Sequence, residues 1–274
     1  MKNNILGIAI ALCFALSISA QINTENNKPF TIGEIREIKS AVLGENRTLN
    51  VYLPYGYAKE KTYPVIYLLD GSVNEDFLHI AGLVQFFNML KMPEFIVVGI
   101  ANVDRRRDFT FHTELPDLKK EFPTTGGSEK FIKFIETELQ PFISSNYKTS
   151  DVKYIIGQSL GGLLAAEILL KKPDLFSHYL IVSPSLWWDN ESLLKGAKLL
   201  VEKQNDAKRY VYISVGGQEE KVMQKDAKEL SVILQQANKS NLKLDFLPLP
   251  KENHATILHQ SINEAFKLLF PYDK

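Results

Sequence analysis

The stretch Tyr154–Leu170, YIIGQSLGGLLAAEILL, decides the fold. Tyr154-Ile155-Ile156 reads as the end of a buried strand, and Leu160 opens an apolar helix. Between them stands Gly157-Gln158-Ser159-Leu160-Gly161, a serine between two glycines. G-x-S-x-G at a strand-to-helix junction marks a nucleophile elbow. The turn is too sharp for side chains at its shoulders, hence Gly157 and Gly161, and it lifts the Ser159 hydroxyl above the sheet. The following helix start adds a backbone N–H and a partial positive field. A serine N-cap on a glycine-rich turn is the plainer reading, but it needs neither the buried strand before nor small residues on both sides.

Outward from the elbow, strands and helices alternate. FTIGEIREIKSAVLG and RTLNVYLPYGY read as two strands joined near Gly44-Glu45-Asn46. YPVIYLLDG and EFIVVGIANV are continuous apolar runs, as in strands buried on both faces. DVKYIIGQS, HYLIVSPS, RYVYISVGG and LKLDFLPLP follow. Helical spacing covers Asp76 to Leu90, Ser128 to Ile143, Leu160 to Lys171, a segment through Leu193, Val222 to Ala237 and Thr256 to Leu269. The pattern predicts an α/β fold with a mostly parallel central sheet of about eight strands and helices on both faces. Asp104 to Ser128 is the longest stretch read as irregular, and long ordered loops tend to be functional.

The N-terminal MKNNILGIAIALCFALSISAQ carries Lys2, an apolar run and small residues before Gln21. It reads as a signal peptide over residues 1–20, leaving 21–274 as one domain. The apolar run is short for a span, so no stable membrane insertion is expected after cleavage. Cys13, the only cysteine, lies inside that run, so the mature chain is expected to have neither disulfide nor thiol nucleophile. Export without cysteine points to a bacterial periplasmic or secreted protein. Of 274 residues, 32 are Lys or Arg and 32 are Asp or Glu, giving zero net charge. No basic field is available to draw in nucleic acid. The motifs for a zinc site or a phosphate loop are missing, so no metal is expected.

A serine hydroxyl needs a base to become a nucleophile. In this kind of fold the order is serine, acid, histidine. His254 in PKENHATI follows the last strand, where a loop can swing an imidazole over the elbow. The acid should follow RYVYISV, where Glu219 and Glu220 stand side by side. Glu219, the first carboxylate after the turn, is the expected partner; Glu220, nearer the next helix, is the alternative. An oxyanion hole needs two backbone donors: the N–H of Leu160, and one from Gly71 or Ser72 after YLLDG. Arg105 and Arg107 are candidates for an anionic or catechol-bearing substrate, or else anchors of their own loop. Trp187 and Trp188 are candidates for lining an acyl or aromatic pocket, with one of the two in the core.

RTLNVYLPYGY, YPVIYLLDG, VVGIANVDRRRDFT, GQSLGG, SPSLWW and ENHATI together resemble the esterase family that includes esterase D and enterochelin-type siderophore esterases. The resemblance runs from about Phe30 to Phe270. It implies an α/β-hydrolase fold, no cofactor, and hydrolysis of carboxylic esters, with Ser159 as nucleophile, His254 as base and an acid near Glu219. It also leaves room for a Ser–His pair without the acid. Implied substrates are small-molecule, saccharide or siderophore-type esters. Acyl transfer on the same site and a non-catalytic binding role are the alternatives.

Overall fold

A computed structural model describes residues 28–272, and the described residues from Ile32 onward cluster as one unit. The signal peptide expected over residues 1–20 lies outside the described residues.

Eight strands form one sheet: β1 Glu34–Ser40, β2 Glu45–Tyr52, β3 Tyr63–Leu68, β4 Ile96–Ile100, β5 Thr149–Ser159, β6 His178–Pro184, β7 Arg209–Gly216 and β8 Leu242–Leu249. Their order is β1-β2-β4-β3-β5-β6-β7-β8. β2 pairs antiparallel with β1 and β4, and all other neighbours are parallel. The crossovers contain the helices α1 Phe77–Met89, α2 Arg105–Phe109, α3 Pro116–Glu121, α4 Ser128–Phe134, α5 Gln140–Asn146, α6 Leu160–Lys171, α7 Trp188–Glu202 and α8 Lys221–Gln236; α9 Ile257–Leu269 follows β8.

Alternation along the strands divides the core between two faces. Val65 and Tyr67 of β3 join the cluster built with Leu163 of α6, Leu193 of α7 and Leu230 of α8. Ile66 and Leu68 face the other way, against Ile80 of α1 and Ile262 of α9. A strand with helices on both sides has no solvent face, which is why β4, IVVGI, is buried at every residue.

The sequence reading misplaced two local features. Asp104 to Ser128 is only partly irregular: α2 and α3 lie within it, too short to show a helical period. The helix expected from Ser128 widens into a π-turn at Ile135–Leu139, with the Gln140 N–H donating to the Ile135 carbonyl. Pro141 follows at once, and its missing N–H removes one α-helical bond at that point.

Candidate active site

β5 runs straight into α6, and Ser159 sits at the join with φ +60° and ψ −121°. This backbone is strained for any residue with a Cβ, and it is held because both flanks are fixed in the core. A Cβ on Gly157 would meet the Gly161 carbonyl oxygen at 2.3 Å. One on Gly162 would meet the Val182 oxygen at 2.8 Å and Pro184 Cα at 2.9 Å. Gly161, expected as the second essential shoulder, has no neighbour closer than 3.4 Å to such a Cβ. The crowded positions are therefore 157 and 162.

The expected Ser159, Glu219 and His254 share one cavity of about 510 Å³ with Trp187 and Glu220, also expected, and with Ser185 and Met223. His254 Nδ1 lies 2.7 Å from Glu219 Oε2. Oε1 of the same carboxylate accepts from the Gly216 N–H at 2.8 Å and from the Ser183 hydroxyl. The Glu219 side chain is only 1% exposed. Burial pushes its carboxyl up, but the hydrogen bonds from His254, Ser183 and Gly216 outweigh that and hold it below the usual range. Glu220 is exposed, at the rim of the cavity, and immediately precedes α8.

Ser159 Oγ lies 3.4 Å from Ser185 Oγ, and among the described residues no hydrogen bond joins it to His254. Such bonds are often long before substrate arrives. Gln158 Nε2 donates to the His254 carbonyl and fixes the histidine loop beside the elbow.

Leu160 opens α6, so its N–H has no acceptor within the helix. Gly71 is not available as the second donor, because its N–H is bonded to the Ile100 carbonyl at 3.1 Å. The Ser72 N–H donates to Glu75 Oε2 at 3.1 Å. Of the two readings for the arginines, the contacts match the anchors. Arg105 grips Asp70 with two bonds, 2.6 and 2.9 Å, and reaches the Gln158 carbonyl at 3.3 Å. Arg107 grips Glu45 at 2.6 and 3.1 Å and Asp108 at 2.7 Å. Neither lines the cavity; both tie loops to the sheet. Trp188 is fully buried, its indole N–H donating to the Phe111 carbonyl at 3.0 Å, so only Trp187 faces the cavity.

Ser183, Ser185 and Gln158 were not singled out from the sequence. The signal was the SPS triplet closing β6, the strand beside the nucleophile strand, and the amide next to the serine. A larger cavity, about 640 Å³, lies along the far half of α6 and includes none of these residues.

A mostly parallel sheet with a serine elbow after its fifth strand, a carboxylate after the seventh and a histidine after the eighth defines the α/β-hydrolase class. The chain matches the family described as "Putative esterase" over residues 40–255, and it belongs to that family of carboxylic ester hydrolases. It is 31% identical over 269 residues to the ferri-bacillibactin esterase BesA of Bacillus subtilis, covering 89% of this chain and 92% of the relative. It is 32% identical over 209 residues to an endo-1,4-beta-xylanase/feruloyl esterase of Xylanibacter ruminicola, covering 69% of this chain and 25% of that one. The crystal structure of an IroE-like serine hydrolase from Shewanella oneidensis matches with a TM-score of 0.80 at 30% identity, covering 87% of this chain and 80% of that one.

Proposed function

We propose that the chain is an exported serine esterase that cleaves siderophore-type or other aromatic acyl esters through an acyl-enzyme. The observation that carries this reading is the 2.7 Å contact of His254 with buried Glu219, inside the cavity that also holds Ser159. With Nδ1 on the carboxylate, Nε2 is the ring nitrogen left to take the serine proton. Ser159 Oγ then attacks the ester carbonyl, and the oxyanion forms at the start of α6, near the Leu160 N–H. His254 returns the proton to the departing alcohol, and water repeats the sequence on the acyl-enzyme. Trp187 offers the acyl group an aromatic wall. The relative named for ferri-bacillibactin esterase activity supports a siderophore-type ester, and the one named for feruloyl esterase activity supports an aromatic acyl group. Export rests on the N-terminal 20 residues, and a mature protein starting at Gln21 would support it.

A fluorophosphonate probe is expected to label the wild type once and Ser159→Ala not at all. Turnover of a tri-catecholate, a feruloyl and an acetyl ester then ranks the substrates. Equal labelling of both proteins sinks the serine mechanism, and a preference for the acetyl ester sinks the aromatic assignment.

A further inference from the structure

Immediately after Trp187 and Trp188 the backbone turns left-handed for three residues, none of them glycine. Asp189, Asn190 and Glu191 have φ of 51°, 53° and 60°. A run of this kind is disfavoured for L-residues, and single residues are the usual limit. It needs holding in place, and two part-buried contacts do that. The Thr113 hydroxyl donates to Asp189 Oδ1 at 2.6 Å, while accepting from the Leu115 N–H at 3.2 Å, so its orientation is fixed. The Trp188 indole donates to the Phe111 carbonyl at 3.0 Å. Both partners lie in the loop between α2 and α3. An exposed pair, Lys225 Nζ to Glu191 Oε1 at 2.9 Å, adds little. Trp187, which rests against Phe122 and Trp188, lines the cavity that holds Ser159.

We infer that Asp189, held by Thr113, is a positioning residue that fixes the Trp187 wall and thereby the preference for aromatic acyl groups. The inference rests on the esterase reading for its substrate class, but not for its geometry. Neither residue touches the reacting atoms. Losing the bond frees the left-handed turn to relax, and the indole above it moves.

The test compares Thr113→Val and Asp189→Ala with Thr113→Ser and Asp189→Asn, which keep the donor and the acceptor. The chain has two tryptophans, and Trp188 is fully buried, so acrylamide quenching of fluorescence reads Trp187. Quenching should rise about twofold in the first pair and stay at the wild-type value in the second. KM for a feruloyl ester should rise about threefold to tenfold in the first pair, with kcat and fluorophosphonate labelling of Ser159 within about twofold. KM for an acetyl ester should not move. Unchanged quenching, or an unchanged ratio of feruloyl to acetyl kcat/KM, overturns the inference. Absence of labelling in the wild type refutes the esterase reading instead, and quenching alone then decides whether Asp189 holds the wall.

Discussion

Replacing Glu219 by glutamine tests the proton path most directly, because the structure dictates how the amide must sit. Oε1 accepts two hydrogen bonds, from Gly216 and Ser183, and Oε2 faces His254 Nδ1. Glutamine has one acceptor oxygen and one NH2 group. If the oxygen keeps Gly216 and Ser183, the NH2 faces Nδ1, and that nitrogen must become the acceptor. The imidazole then carries its proton on Nε2, the side that should receive the serine proton. A base held in the wrong tautomer loses about 10⁴-fold in kcat, or about 5 kcal/mol of barrier. The fold loses much less, about 1–2 kcal/mol, since a neutral acceptor replaces a charged one in two bonds. The assay is kcat on a chromogenic ester with thermal melts of Glu219→Gln and Glu220→Gln in parallel. Glu220→Gln should stay within about twofold, because that side chain is exposed and caps nothing with its carboxylate. If folded Glu219→Gln keeps more than about a tenth of wild-type kcat, the carboxylate does not orient the base, and a Ser–His pair is the working unit.

Three further outcomes follow from the packing. Ser183→Ala removes one of three donors from a buried carboxylate; it should lower kcat and cost about 1–3 kcal/mol in denaturant unfolding, and an unchanged midpoint would mean the hydroxyl is dispensable. Gly162→Ala should destabilise by about 2–4 kcal/mol, because its Cβ meets backbone at 2.8 and 2.9 Å, whereas Gly161→Ala has space and should melt near wild type; equal melts would contradict the packing described. Burial, with a smaller push from Lys208, holds the His178 imidazole down at about 4 against an ordinary 6.5. Its folded value lies below its unfolded one, so its neutral form stabilises fully above pH 6.5, and about 2–3 kcal/mol is lost as the pH falls toward 4. Replacing His178 by Phe keeps a ring against Tyr154, 3.9 Å away in the native stack, and should flatten that acid limb; a limb as steep as the wild type's would place the titration elsewhere.

The sheet was legible in the sequence because β3, β4, β6 and β7 are largely apolar runs closed by turns, and β5 into α6 carries its own signature. Ser159 and His254 could be picked out by type and order along the chain. The arginines could not be read so easily. Arg107 meets Glu45 across 62 residues and Arg105 meets Asp70 across 35, and a local pattern cannot tell a paired guanidinium from one left open to a substrate. The second oxyanion donor failed for a related reason: whether the Gly71 N–H is spoken for depends on Ile100, which no local pattern reveals. The left-handed turn after Trp188 left no trace either, because Asp189-Asn190-Glu191 contains no glycine to announce it. Of the two tryptophans, side by side in sequence, Trp188 fills the core and Trp187 faces the cavity, a choice made by Phe111 and Phe122 on a distant loop.

The strands that carry the nucleophile and the acid, β5 and β7, are not neighbours; β6 lies between them. Two strand spacings amount to roughly 9–10 Å. An imidazole with a hydrogen bond at each nitrogen spans roughly 8 Å. The interval that the proton machinery must bridge is thus gauged by the ladder of backbone bonds between β5, β6 and β7, with His254 cut to fit it. The walls hang from elsewhere, on the loop between α2 and α3 and on the turn that begins α7. Tolerance to change should be divided the same way. Loop lengths and wall residues can drift and alter which esters enter, while an insertion of one residue at the end of β6 would shift Ser183 off Glu219 and put the gauge out of true.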